Sequence, residues 1–333
     1  MPVGGVGIAR HFSRAHARDV YRFNLVTIAA FYRFAPVDDV SALVRAVRAV
    51  CESGDVYGSV LIAAEGVNGT IAGSAAGVAA VLDRLRETPG LSALRVQFSS
   101  STSVPFHRLK VEHKREIVTF RQPGTNPLAR VGAYVKPADW NAVLADDDVV
   151  VIDARNNFEV ELGTFTGAVN PRTTTFTEFA AFCDAHLDPV RTPRVAMFCT
   201  GGIRCEKATS YLLDKGFNDV VHLDGGILAY LAQVPAEASR FEGECFVFDQ
   251  RVSLVHGLVP GSARLCHACY GAVDEAAVSS SVYEQGVSCP RCHGTASAAQ
   301  LASRRERQKQ VVLAEQQQRK HIGEVMPRRA QHG

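Results

Sequence analysis

Residues 199–205 read Cys-Thr-Gly-Gly-Ile-Arg-Cys. They lie between an apolar run, Val195-Ala196-Met197-Phe198, and a segment of helical spacing, Glu206–Lys215, which Gly216 is placed to stop. This junction narrows the architectures open to the chain. A wholly apolar strand that turns through glycines into a helix belongs to parallel sheets covered by helices on both faces. Such sheets bind ligands at the carboxyl ends of their strands, which is where Cys199 falls. Successive loop amides and the helix N-terminus would point at its sulfur and stabilise a thiolate or an anion attached to it. Gly201 and Gly202 permit the curvature and leave room for a ligand, while Arg204 adds a permanent charge. A lone cysteine at a strand end is more often an inert buried thiol. Here strand, glycines, arginine and helix agree on a reactive one.

The same alternation surrounds the loop. Pro137–Ala145 reads as a helix, Val149–Ile152 as a strand ending at Asp153, Val220–Leu223 as a strand, and Ile227–Gln233 as a helix after Gly225-Gly226. Nearer the N-terminus the pattern changes. Strand-like Leu25–Phe34, helix-like Val37–Glu52, strands Gly58–Ala63 and Asn68–Ala72, helix-like Ser74–Glu87 and strand-like Leu94–Phe98 give β-α-β-β-α-β, the ferredoxin-like order. Between the two units Val104–Phe120 carries His107, Arg108, Lys110, His113, Lys114 and Arg115 and ends in strand-like Glu116–Phe120. It would either line a groove for phosphates or serve as a solvated connector. The expected architecture is a multidomain α/β protein. It comprises a loose basic N-terminus (1–20), a ferredoxin-like domain (21–100), a basic linker (101–130), a parallel α/β domain (131–237), and a Cys-x-x-Cys region with a basic helical tail (238–333).

Nine cysteines, an odd number partly arranged in Cys-x-x-Cys pairs, point to the cytoplasm and to redox or metal chemistry rather than disulfides. Cys266 and Cys269 are separated from Cys289 and Cys292 by nineteen residues, a spacing that can give one tetrahedral Zn²⁺ four thiolates. A segment with so little apolar sequence would gain folding free energy from the metal. The alternatives are redox pairs or free thiols, and His267 and His293 are surplus to a four-sulfur shell. Ala296–His321 reads as a basic helix, either seated on RNA or solvated. Residues 1–23 hold four arginines against one aspartate, and 301–333 hold eight Lys/Arg against three Glu. Basic ends of this kind suit a polyanionic partner or are simply solvated tails. No apolar run approaches the length of a membrane span.

Cys-x-x-Gly-x-Arg at 199–204 resembles the active-site loop of the rhodanese domains, which carry sulfane sulfur as a cysteine persulfide. The loop has the length of the sulfur-handling members. Asp153-Ala154-Arg155 is similar to the Asp-x-Arg after that family's central strand. Gly163–Asn170 resembles its Gly-His-Ile-Pro-Gly-Ala motif, with Thr164 in place of His and Thr166 in place of Pro. With the N-terminal unit, the Gly243–Asp249 motif Gly-Glu-Cys-Phe-Val-Phe-Asp and the Cys-x-x-Cys pairs, nearly the whole chain resembles the rhodanese-domain tRNA uridine hydroxylases.

That resemblance implies oxygen-dependent hydroxylation of the wobble uridine-34 to 5-hydroxyuridine. Cys199 would be the catalytic thiolate or persulfide, Arg204 would stabilise the anion, and Gly201 and Gly202 would shape the loop. Cys205 would be either a resolving thiol or an inert inward-facing residue. Arg108, Lys110, Lys114 and Arg115 would contact the tRNA backbone, and the N-terminal domain would hold the anticodon arm. The implied partners are tRNA, O2, an electron donor and, for a persulfide, a sulfur donor, with no membrane. No facial triad, haem motif or dinucleotide fingerprint is visible, so no catalytic cofactor is identifiable from the sequence. Two other readings stay open: a sulfurtransferase passing persulfide sulfur to tRNA or another acceptor, and a zinc-containing RNA-binding module.

Overall fold

The computed structural model describes residues 25–192 and 194–317. The N-terminal unit runs β1 (Val26–Phe34), α1 (Val40–Ser53), β2 (Tyr57–Ala63), β3 (Gly66–Gly73), α2 (Ala75–Arg86) and β4 (Arg95–Ser101). Its strand order, β4-β1-β3-β2, is the ferredoxin-like order expected from the sequence. Val40, Leu43, Val47 and Cys51 form the buried stripe of α1, and Val78, Val81, Leu82 and Leu85 that of α2. Both helices begin at side-chain caps, Asp39 accepting from the Ala42 amide and Ser74 from the Gly77 amide. They pack on Phe31, Val60, Val67 and Ile71 on one face of the sheet. Because strand side chains alternate, Tyr32, Asn68, Thr70, Arg95 and Gln97 fall on the other face, which forms part of a cavity wall described below.

The sheet does not stop near residue 100. A fifth strand, β5 (Leu109–His113), adds in parallel to β2, so part of the expected linker belongs to this sheet. The expectation of a strand at Glu116–Phe120 is not met. Ile117 and Phe120 sit in two different cores, and among the described residues no strand pairs with this segment. Side chains satisfy its polar groups instead. Glu65 accepts from the Ile117 amide, Asn68 donates to the Ile117 carbonyl, and Glu116 accepts from the Phe120 amide.

The central unit contains β6 (Ala133–Val135), α3 (Pro137–Leu144), β7 (Val150–Asp153), α4 (Asn157–Val160), β8 (Gly163–Phe165), α5 (Phe179–His186), β9 (Arg194–Phe198), α6 (Ile203–Asp214), β10 (Asp219–Leu223) and α7 (Gly226–Gln233). β6, β10, β9 and β7 form a parallel sheet in that order. The apolar run of β9 is explained by its two covered faces. Val195 and Met197 enter the core with Phe179, Ala208 and Leu212, while Ala196 and Phe198 enter the opposite core with Trp140, Ile227 and Leu231.

Beyond residue 240, β11 (Phe241–Gly243) pairs antiparallel with β8, and β12 (Cys245–Phe246) pairs with β13 (Ser253–Leu254). The motif Gly243–Asp249 is therefore not one strand. It bends at Gly243, whose φ of +81° and close approach to the Leu162 carbonyl suit only glycine. Phe241, Cys245, Val247, Leu254 and Leu258 complete the core beneath α7. The Cys-x-x-Cys region follows, with β14 (Arg264–Leu265), β15 (Ala272–Val273), α8 (Glu275–Val278) and the long α9 (Ala298–Gln316). The basic character of α9 is used in docking. Arg305 pairs with Glu284 through two 2.7 Å bonds, Arg304 donates to the Val287 carbonyl, and Arg307 donates to the carbonyls of His267 and Gly286. The N-terminal segment 1–20 and the end of the Ala296–His321 helix lie outside the described residues. None of the described helices is long and apolar enough to cross a membrane.

Candidate active site

Cys199 ends β9, and the loop that follows is held from behind by α7. The Ile227 amide donates to the Cys199 carbonyl (2.9 Å) and the Leu228 amide to that of Thr200 (3.0 Å). This approach requires Gly226, where a Cβ would lie 2.4 Å from the Cys199 oxygen. Gly202 adopts φ +99° as the N-cap of α6, and its amide donates to Cys199 Sγ at 3.2 Å. The helix starts at Ile203, three residues before the sequence pattern suggested, so Arg204 and Cys205 occupy its first turn. Burial by itself would raise the Cys199 pKa. The Cys205 thiol, the Arg204 charge and the amides of residues 205 and 204 outweigh it and bring the sulfur down to about 6. Cys205 is affected in the opposite sense. Burial and the neighbouring Cys199 anion push its thiol far up, so it stays protonated and serves as a donor to Cys199.

Arg204 is fixed by Glu159 of α4 through two 2.7 Å bonds, with the carboxylate fully buried. Burial opposes ionisation of Glu159, but the Arg204 charge and hydrogen bonds prevail and hold its carboxyl below the usual range. Behind this pair lies a second, also fully buried, in which Arg155 grips Asp153 and donates to the Gly163 carbonyl. The two departures in the Gly163–Asn170 motif have structural roles. Thr164 donates its hydroxyl to Asp153 (2.8 Å). The Thr166 amide donates to the Arg240 carbonyl (3.0 Å), a bond that proline cannot make and that extends the β8–β11 pairing. Cys245 is buried nearby with its thiol pushed up to about 12 by burial, as suits an unreactive core cysteine. Cys51 and Cys183 are buried helix residues.

The two residues after the loop went unassigned in the sequence and tie the domains together. Glu206 accepts at one oxygen from Tyr32 of β1 and from Tyr134 of β6, both at 2.9 Å. Lys207 is buried between Glu116 (2.7 Å), Glu65 (2.9 Å) and the Val118 carbonyl (3.0 Å). Arg95 of β4 reaches Asp224 after β10 and covers the Tyr134 ring at 4.3 Å. Arg251 pairs with Asp249 and donates to Ser99 of β4, which fixes the β12–β13 connection to the N-terminal sheet. The only sequence signal for this interface was a pair of opposite charges within a helix that proves buried almost all round.

These contacts enclose a cavity of about 1150 Å³ between the N-terminal sheet, the loop at 199–204 and residues 247–258. Cys199 is 0% exposed and forms part of the cavity wall. Gly201, with no atom near its missing Cβ, opens the wall beside it. Arg121 and Lys136 also line the cavity, and their side chains enter none of the ion pairs among the described residues. The four basic residues singled out in the sequence lie elsewhere. Lys110 is on the edge strand β5, Arg108 precedes it, and Lys114 and Arg115 follow it. Lys114 pairs with Glu112, and none of the four lines the cavity.

At the far end of the chain Cys266, Cys269, Cys289 and Cys292 converge, their sulfurs all within 4.8 Å of one another. The closest separations, 3.7 to 3.9 Å, match the edge of about 3.8 Å that a tetrahedron of 2.3 Å Zn–S bonds requires. The four cysteines can therefore hold a metal ion. His267 and His293 are not part of the cluster.

Comparison with known proteins agrees with this architecture. The family described as UPF0176 acylphosphatase like domain matches residues 26–117, and the rhodanese-like domain matches 137–233. The tRNA uridine(34) hydroxylase of Albidiferax ferrireducens is 50% identical over 299 residues, covering 89% of this chain and 94% of that protein. The proteins of the same name from Mesorhizobium japonicum and Teredinibacter turnerae are 49% and 47% identical, covering 90% and 89% of this chain and 97% and 92% of theirs. Similarity at this level runs through both domains and the interface that joins them, and the chain belongs to the tRNA uridine(34) hydroxylase family.

Proposed function

We propose that the protein hydroxylates the wobble uridine-34 of tRNA to 5-hydroxyuridine. One atom of O2 enters the C5–H bond of uracil. The other leaves as water, with two electrons and two protons from a reduced donor. The observation that carries this reading is the Cys199 thiolate on the wall of the interdomain cavity, in a chain half identical to proteins named for that reaction. Cys199 is fully buried in the cavity wall, so a uridine must leave the anticodon-loop stack and enter the cavity to approach it. The volume exceeds what a drug-sized ligand needs and leaves room for the ribose and a flanking phosphate.

Within the cavity Cys199 acts as the thiolate, or as a persulfide built on it, and the amides of residues 202, 204 and 205 hold the negative charge. Arg204 contributes its field while Glu159 fixes its direction. Cys205 works as a donor to Cys199 rather than as a resolving thiol. Arg121 and Lys136 face the backbone of the incoming strand. Arg108, Lys110, Lys114 and Arg115 provide more distant contacts to the anticodon arm. The four clustered cysteines hold a structural Zn²⁺ that fixes the fold of 264–292.

The test is nucleoside mass spectrometry on bulk tRNA from a strain lacking the gene, complemented with wild type or Cys199→Ser. 5-Hydroxyuridine and its derivatives should vanish in the deletion, return with wild type and stay absent with the variant. Loss of a thiolated base instead would identify a sulfurtransferase, and full rescue by the variant would dismiss Cys199.

A further inference from the structure

Phe248 is out of place as a structural residue. It is 67% exposed although its neighbours are buried, Val247 at 6% and Phe246 at 4%. Its connection is nonetheless rigid. The Val247 amide donates to the Val252 carbonyl, the Gln250 amide to the Pro105 carbonyl, and Arg251 is fastened to both Asp249 and Ser99. Phe246 meets the ring edge-to-face at 5.1 Å, which sets its orientation while most of its surface remains in solvent. Phe248 belongs to the wall of the same cavity as Cys199, and Arg121 and Lys136 belong to it too. An aromatic ring and unpaired cations lining one cavity are the combination by which proteins hold single-stranded nucleic acid, the ring taking a base and the cations the backbone.

We propose that Phe248 is the stacking platform for a base of the anticodon loop next to the target uridine. The occupant is a neighbour and not the uridine itself, because the sulfur is fully buried whereas Phe248 is largely exposed. Stacking there would hold the loop splayed while the uridine turns inward. Phe248 is thus a positioning residue, and it gives the enzyme a grip on RNA that tolerates any base. The inference rests on the function proposed above.

The test uses anticodon stem–loop RNA and the full-length protein. Phe248→Ala should lose roughly five- to hundredfold in kcat/KM, mainly through KM, and Phe248→Trp should keep most of the activity. Cys199 alkylation should run at the wild-type rate in both variants, which shows that the loop remains folded. Two further stem–loops, each with one base beside the uridine replaced by an abasic unit, test the partner. At least one should cost wild type the same factor and cost Phe248→Ala nothing more. The proposal is overturned if Phe248→Ala matches wild type on intact RNA, or if neither abasic RNA affects wild type. Absence of hydroxylation by wild type on intact RNA would instead overturn the function.

Discussion

Replacing Cys205 by alanine should reveal how the reactive sulfur is kept ionised. At a pKa of about 6 the Cys199 thiol is roughly nine-tenths thiolate at neutral pH, despite complete burial. The contributions that outweigh burial are the Cys205 thiol donor, the Arg204 charge and the loop amides. A hydrogen bond to a charged acceptor contributes about 1.5–3 kcal/mol, which corresponds to roughly one to two pKa units. Cys205→Ala should therefore move the Cys199 midpoint from about 6 to roughly 7–8, and Cys205→Ser, which keeps a donor, should leave it nearly in place. The assay is the pH dependence of alkylation by a small haloacetamide that fits the cavity, with the labelled residue assigned by mass spectrometry. Alkylation should rise as pH passes through the midpoint, and activity limited by the thiolate should rise in the same window. An unchanged midpoint in Cys205→Ala would refute the assignment of Cys205 as a donor.

Breaking the buried Arg204–Glu159 pair with Glu159→Ala leaves an uncompensated guanidinium and should cost about 3–5 kcal/mol in urea denaturation followed through the central domain. Gly226→Ala forces a Cβ against the Cys199 carbonyl at a φ of +65°, and should abolish hydroxylation while far-ultraviolet circular dichroism stays near wild type. Elemental analysis should find one zinc per chain. Its removal by a strong chelator, or Cys289→Ser, should make residues 264–316 sensitive to proteolysis while Cys199 alkylation is unaffected. Lys207→Met should loosen the two domains and raise the rate at which bulky maleimides label Cys199, because Glu65 and Glu116 lose their shared cation.

The fold was legible wherever periodicity was unambiguous. The apolar run of β9 is covered on both faces, and the stripes of α1 and α2 follow a clean helical spacing, so strand, helices and order could all be read. Glu116–Phe120 has the composition of a strand, but side chains rather than a neighbouring strand satisfy its backbone. The start of α6 is masked in the sequence because Ile203-Arg204-Cys205 continues the loop motif while it is already helical in space. At the site, Cys199, Gly202 and Arg204 could be named from local sequence alone. Glu159, Tyr32, Glu206, Lys207 and Phe248 could not, because their roles depend on contacts between distant segments. The basic cluster at 108–115 was conspicuous by charge and lies on an outer edge strand, whereas the cavity draws Arg121 and Lys136 singly from different segments.

The salt links of Lys207 and the shared carboxylate of Glu206 are made one helical turn from the residues that ionise Cys199. One helix therefore carries both the groups that ionise Cys199 and the bonds that join the domains around the cavity. Grafting the seven-residue loop onto a free-standing sulfur-transfer domain would transplant the acidic thiol but not the cavity that the N-terminal sheet and residues 247–258 build in front of it. Any ligand or lesion that pries the two modules apart should open the sulfur to reagents the cavity otherwise excludes before it makes the sulfur inert.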